Sequence, residues 1–284
     1  MGSMVFLSLI REAAREGAER AIEAIKLGTA GSVVGKGKGG DYSLQGDVAS
    51  EEAIINYLRQ HMGNLRVISE EAGELSYGES PAYTFIIDPI DGSRNYKRGL
   101  PFFAISIGVV EGETLDDLVA GVVYAPLLNM EFTAVRGQGA WLNGKPIRVT
   151  SQDDLANALV FVGATPKAVF LPQVYALMLT LRGSVVRSLG SASLELSFVA
   201  SGGVDAYIDQ WGTMRVIDVA AAILIAREAG AWVKVRGSLN ERGAVSLKEK
   251  LAVIAASTEK LGKQLEAVYR EALNMDFTEM FYAS

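Results

Sequence analysis

A layered α/β sandwich, assembled from two halves that meet near residue 150, is the fold this chain of 284 residues predicts. Three observations carry the prediction. The chain opens on helical periodicity and then passes into a succession of apolar segments closed by Gly and Asn turns. Beyond Thr150 the pattern changes to strands alternating with helices. Between these regions, one strand runs straight into Asp88-Pro89-Ile90-Asp91-Gly92-Ser93, where two carboxylates enter a Pro/Gly turn.

Residues 5 to 27 place Phe6, Leu9, Ile10, Ala13, Ala14, Ala21, Ile22 and Ile25 near helical spacing, with charged residues between them, and Gly28 ends this helix. Residues 28 to 46 are rich in Gly, Ser and Lys and predict one long mobile loop. A second helix is expected from about Asp47 to His61, with Asp47 or Ser50 near its N-cap. Strands follow at 65 to 69, 83 to 87, 103 to 111, 119 to 125 and 129 to 135, with hairpin turns at Arg136-Gly137-Gln138-Gly139 and Asn143-Gly144. In the second half, strands are expected at 159 to 163, 185 to 188, 204 to 209, 231 to 235 and 251 to 255. Helices alternate with them at 168 to 182, 191 to 201, 216 to 229 and 258 to 273. The halves divide as 1 to 150 and 151 to 284, each expected to contribute part of one shared site.

Composition removes several classes of function. Cys is absent and His61 is the single histidine, so thiolate chemistry and multi-His zinc centres are excluded and a Ser-His-Asp triad is disfavoured. The net charge is −6 and the basic residues are scattered, which argues against a nucleic-acid groove. Apolar runs are too short to span a membrane, and no basic segment followed by an apolar one opens the chain, so a cytoplasmic location is expected. Gly35-x-Gly37-x-x-Gly40 matches a dinucleotide fingerprint by letter alone, because no strand within a compact βαβ unit precedes it.

The Asp88–Ser93 turn supplies carboxylates on one side and backbone amides on the other, a combination suited to a metal and a phosphate. Glu70-Glu71 leaves a strand upstream; by itself this pair reads first as a solvated acidic loop. Asp218 lies in the first turn of a helix that is apolar all round, either as a dipole partner or as a carboxylate aimed into a cleft. Gly190-Ser191-Ala192-Ser193 opens another helix and reads equally as a plain helix start or as an anion cradle.

Taken in order, these segments resemble the inositol monophosphatase family of Mg²⁺-dependent, lithium-sensitive phosphomonoesterases. The first signature stands as Asp88-Pro89-Ile90-Asp91-Gly92-Ser93-Arg94-Asn95 and the second as Asp218-Val219-Ala220-Ala221-Ala222, and the likeness covers nearly the whole chain. The resemblance implies an α-β-α-β-α sandwich of the sugar-phosphatase fold, usually a homodimer, with two to three Mg²⁺ per site. It implies that Glu70, Asp88 and the Ile90 carbonyl hold the first metal. Asp88, Asp91 and Asp218 match the ligands of the second. Glu71 matches a residue supporting the water network. Asp47 and Ser93 match the pair that helps deprotonate the attacking water. Lys36 and Asp41 fall where the family carries a mobile catalytic loop. Gly92, Ser93, Gly190, Ser191 and Ala192 match phosphate- and sugar-contacting positions.

Two departures bear on the substrate. Ser93 stands where the family often has Thr, and Ile217 stands where it often has Trp. The segment Asp209 to Arg215 is also longer than in animal inositol phosphatases and brings Arg215 near the pocket, which resembles an archaeal and bacterial branch whose members often accept fructose 1,6-bisphosphate as well. The expected activity is therefore hydrolysis of inositol 1-phosphate, and of fructose 1,6-bisphosphate, by a metal-activated water. The rivals are a 3′-phosphoadenosine 5′-phosphate or NADP(H) phosphatase of the same fold, and a non-enzymatic metal-binding regulatory protein.

Overall fold

A computed structural model describes residues 3–36, 38 and 42–275. Helix α1 (Ser3–Lys26) buries Phe6, Ile10, Ala13, Ala14 and Ala21, the periodic apolar face read from the sequence. A hairpin of β1 (Val33–Lys36) and β2 (Tyr42–Leu44) follows, then α2 (Gln45–His61). The stretch expected as one loop from 28 to 46 therefore holds two strands, because Val33, Val34 and Tyr42 favour extended backbone. Leu44 stands at the N-cap of α2, with Asp47 in the first turn. Ser50 Oγ is committed elsewhere, donating to the Pro89 carbonyl at 3.0 Å.

Next come β3 (Leu65–Ser69), β4 (Gly73–Tyr77), β5 (Thr84–Asp91), the short helix α3 (Ser93–Lys97) and β6 (Ala104–Val110). They are followed by β7 (Leu118–Ala125), β8 (Met130–Val135), β9 (Gly139–Leu142) and β10 (Lys145–Pro146). Among the described residues these strands form one sheet in the order β10-β9-β8-β7-β6-β5-β3-β4, with β3 and β5 parallel. The edge strand β4 escapes the sequence reading because it is half polar, and β5 extends four residues past Ile87, through Asp91.

The remaining elements are β11 (Leu159–Val162), α4 (Leu171–Leu181), β12 (Val185–Arg187), α5 (Ala192–Ala200) and β13 (Ala206–Met214). The chain then forms α6 (Val216–Glu228), β14 (Trp232–Gly237), β15 (Leu251–Ala256) and α7 (Glu259–Leu273). Their strands make a second sheet in the order β12-β11-β13-β15-β14. β13 runs on past Asp209 to Met214, with an irregularity against β15, so the segment before Arg215 is strand and not loop.

The layers are α1 and α2, the first sheet, α5 and α6, the second sheet, then α4 and α7, as the resemblance implied. Strand alternation decides which side each residue serves: Phe85 and Ile87 pack under α1 and α2, while Ile86 packs under α5 and α6. The middle layer is the largest core, and it draws on residues either side of position 150. Helix α6 lies unusually close to the first sheet. Gly108 and Gly121 are register partners on β6 and β7, and a Cβ at Gly121 would stand 3.0 Å from the Ala221 carbonyl oxygen. This approach explains a helix of small residues with no polar face. No helix among the described residues is long and apolar enough to cross a membrane.

Candidate active site

Two strand ends build the floor of the site. β3 and β5 are parallel, with Ser69 opposite Ile87, so Glu70 and Asp88 leave the sheet side by side. Ligands of open α/β sheets bind at such carboxyl ends. β5 then bulges against β6: Asp88 pairs with Ser106, and Asp91 pairs with Ala104. A three-residue spacing would normally send the two carboxylates to opposite faces. The one extra residue in the bulge returns both to the face that carries Ile86, toward α5 and α6. Gly92 follows in the left-handed region at φ 94°, where a Cβ would lie 2.8 Å from the Phe102 carbonyl oxygen, and it starts α3.

Helix starts supply the walls. Asp91 Oδ2 accepts from Ser191 Oγ at 2.7 Å, from the Ser193 amide at 2.7 Å and from Ser193 Oγ at 2.6 Å. The opening turn of α5 is thus bound to the first signature, and Gly190 lines the cleft. Ser191 is fully buried behind it, with Ala192 next in line. From the first turn of α2, Asp47 reaches Ser93, whose Oγ lies 3.3 Å from Asp47 Oδ1 and 2.9 Å from the Ile90 carbonyl oxygen. From the first turn of α6, Asp218 accepts the Arg215 backbone N–H at 2.7 Å. The Arg215 guanidinium donates to Asp218 Oδ1 at 2.8 Å and also to Glu70 Oε1. Lys36 is the last residue of β1, and Asp41 lies outside the described residues.

Four residues to which the sequence reading gave no role surround these groups, and three of them hold parts of the site in place. Glu51 on α2 accepts from Ser69 Oγ and from the Glu71 amide at 2.9 Å, while Glu71 accepts from Ser43 Oγ. Asn95 Nδ2 bridges the Phe102 and Leu189 carbonyls, at 2.7 Å each, and Glu195 accepts from the Leu189 and Gly190 amides. Asp209, the fourth, is a buried acid on β13 whose carboxylate is close to Gly163. Asn95 was visible as the end of the first signature. The others carry no local signal, since only tertiary contacts distinguish a buried Glu from a solvated one. Arg94 and Lys97, both exposed on α3, complete the rim of a cleft of about 460 Å³.

The electrostatics are those of a site short of positive charge. Burial, with Glu70 and Glu71 nearby, lifts Asp47 to about 8. Burial lifts Asp91 to about 6 against the serine bonds that favour its charged form. Asp88 stands well above the usual carboxylate range through burial and the charges of Glu70, Asp91 and Asp218, and burial raises Glu70 despite Arg215. For Arg215, burial opposes charge, but Asp218 and Glu70 outweigh it and its pKa is raised. Buried carboxylates this close need a cation or protons. The donors are all hard oxygens, which suit Mg²⁺. As placed, however, no group of three or more Asp, Glu, His or Cys side chains among the described residues is arranged to hold a metal ion. The guanidinium is the cation bound to Glu70 and Asp218 in this arrangement. The donor chemistry fits a metal, and its position is contested by Arg215.

Comparison with known proteins identifies the family and the fold. The model of the inositol monophosphatase family matches residues 6–272. A relative in Methanothermobacter thermautotrophicus, named fructose-1,6-bisphosphatase/inositol-1-monophosphatase, is 33% identical over 273 residues, covering 89% of this chain and 94% of its own. A relative in Pasteurella multocida, named Nus factor SuhB, is 41% identical over 197 residues, covering 68% of this chain and 71% of its own. Among solved structures, the extragenic suppressor protein suhB from Bartonella henselae superposes with a TM-score of 0.80 at 29% identity, covering 94% of this chain and 99% of that one.

Proposed function

This chain belongs to the inositol monophosphatase family, and from that premise we propose that it is a Mg²⁺-dependent phosphomonoesterase acting on inositol 1-phosphate and fructose 1,6-bisphosphate. One observation carries the reading: Asp47, Glu70, Asp88, Asp91 and Asp218, from α2, two strand ends and α6, converge closely enough for their charges to act on one another. Glu70, Asp88, the Ile90 carbonyl, Asp91 and Asp218 would hold two to three Mg²⁺. The ions would supply charge neutralisation for the transferred phosphoryl group and a more acidic water. Asp47 would accept a proton relayed through the Ser93 hydroxyl, whose Oγ lies 3.3 Å from its Oδ1. Glu71, tied to Ser43 and Glu51, orients water at that edge. Gly92, Ser93 and Gly190 line the phosphate-facing side of the cleft, where small side chains let the substrate approach, and Ser191 and Ala192 stand behind them at the start of α5. A role for Lys36 and Asp41, as the Lys and Asp of a mobile catalytic loop, rests on the family resemblance.

The dual substrate preference is supported by the relative named for both activities. Homodimer formation, lithium inhibition and a cytoplasmic location belong to the same proposal and rest on the family resemblance. A second reading, a role like that of the relatives named Nus factor SuhB, is favoured by their identity to this chain. Phosphate release from inositol 1-phosphate, fructose 1,6-bisphosphate, 3′-phosphoadenosine 5′-phosphate and NADP, with Mg²⁺ and with excess chelator, separates the readings. Release from the first two, dependent on Mg²⁺ and reduced by Li⁺, is the expected result. Release that survives chelation overturns the metal mechanism. Absence of release from all four overturns the phosphatase.

A further inference from the structure

Arg215 donates to carboxylates on both sides of the cleft. It follows β13 as the N-cap of α6, lines the cleft, and is mostly buried. Its guanidinium donates to Glu70 Oε1, to Asp218 Oδ1 at 2.8 Å through one terminal nitrogen, and to Asp218 again through Nε at 3.0 Å. Those are the lone pairs that a divalent cation would need from the same two side chains. A carboxylate oxygen saturated by guanidinium donors is a poor ligand, so the two cations compete. Loss of the guanidinium's own proton does not open the contact, because it keeps its charge at any ordinary pH. A divalent cation taken up by the same carboxylates can replace it.

We infer that Arg215 is an internal counter-ion which a divalent cation displaces, and that the displaced guanidinium becomes the cleft's contact for a second anionic group of the substrate. This inference rests on the phosphatase reading above. The local structure favours such an exchange. The Arg215 backbone N–H bonds Asp218 Oδ2 at 2.7 Å, so Asp218 stays oriented when the Arg215 side chain leaves. Arg94 and Lys97 sit exposed on the same rim, so an anionic substrate group that binds there would meet further positive charge beside the guanidinium. A planar fork of donors there suits a bidentate contact with a phosphate distant from the reacting one. Metal loading and recognition of a bisphosphate are thereby coupled: each favours the state in which Arg215 has left the carboxylates.

The size of the effect follows from population. A contact as strong as one charge-assisted hydrogen bond leaves fewer than about one chain in ten open, which weakens metal binding about tenfold. The test is Mn²⁺ binding, measured by electron paramagnetic resonance on the full chain without substrate, for wild type, Arg215→Gln and Arg215→Lys. Circular dichroism establishes that each is folded. The expected result is Mn²⁺ affinity about tenfold higher in Arg215→Gln, with Arg215→Lys between the two because a point charge makes fewer of these bonds. In steady state with saturating Mg²⁺, Arg215→Gln should raise KM for fructose 1,6-bisphosphate more than for inositol 1-phosphate, with kcat little changed. Wild type that binds Mn²⁺ and releases phosphate, beside an Arg215→Gln variant with equal or weaker Mn²⁺ affinity, overturns the exchange and leaves the phosphatase standing. Should Arg215→Gln fail to fold, the Lys variant decides: Mn²⁺ affinity no higher than wild type overturns the exchange. Absence of both Mn²⁺ binding and phosphate release in wild type overturns the two together.

Discussion

Asp91 serves two purposes, and substitutions can separate them. Its carboxylate belongs to the charged cluster, and its Oδ2 receives three donors from the start of α5. Asp91→Asn keeps an acceptor oxygen for Ser191 and Ser193 and removes the charge. The chain should stay folded while Mg²⁺-dependent phosphate release falls by about 10³-fold, the scale on which preorganised electrostatics act. Asp91→Ala instead leaves buried donors without a partner and should also cost stability, about 1–3 kcal/mol for each orphaned group. Urea titration beside a phosphate-release assay checks both. An Asn variant with near-normal turnover would remove Asp91 from the catalytic cluster. The carboxylates were legible at this scale because Asp88-Pro89-Ile90-Asp91-Gly92-Ser93 is a dense local pattern. Glu51, Glu195 and Asp209 were not, because each owes its role to partners far along the chain. Arg215 was found as a cleft residue, but its grip on Glu70 and Asp218 depends on β13 and β3 arriving together.

Helix α6 shows how an element converts packing into site geometry. It starts with Asp218 and then lies against Gly108 and Gly121, so close that the sheet has no room for a side chain there. Gly121→Ala places a methyl 3.0 Å from the Ala221 carbonyl oxygen and should cost about 1–3 kcal/mol through overpacking. Because α6 must lift or slide to relieve the clash, Asp218 moves with it, and Mn²⁺ affinity should fall in the same variant. Loss of stability with unchanged metal affinity would show that the helix start is held independently of its docking. The sequence made α6 recognisable through its run of small apolar residues. It did not reveal that glycines on two hairpin-linked strands are their counterpart. Nor did it show the β5 bulge, since Pro89 and Gly92 suggested a turn after Ile87 where the chain continues as strand through Asp91. The layered order was recoverable because helix and strand periodicities are local. The ends of β5 and β13 were misjudged because their last residues are polar, and they extend only where β6 and β15 pair with them.

At the scale of the whole molecule, the buried carboxylates make stability depend on pH, and the sign can be worked out. Burial, as the leading cause, puts Asp47 and Glu195 at about 8 and Glu51 and Asp209 at about 7. In the unfolded chain such groups titrate near about 4. Between those values the folded state holds protons that the unfolded state has lost, so stability falls as pH rises from about 4 to about 8. Glu249 runs the other way. Burial alone would raise it, yet amides from Leu239 and Ala244 and the amide and hydroxyl of Ser238 bring it to about 2. Its contribution is therefore present above the usual Glu value and is lost as pH falls toward 2. Without metal, stability should peak in mild acid. A divalent cation replaces the protons at the cluster, binding more strongly where they have left, so its stabilising effect should grow with pH. Calorimetric Tm from about pH 5 to about pH 9 should decline in chelator and decline less in saturating Mg²⁺, with the gap between the curves widening. Some slope should persist with Mg²⁺ because Glu51, Glu195 and Asp209 are buried away from the cation, and Glu195→Gln should reduce it. Curves that stay parallel across this range would mean that the carboxylates are not discharged by the metal, and the cluster would then be a structural network rather than a cation site.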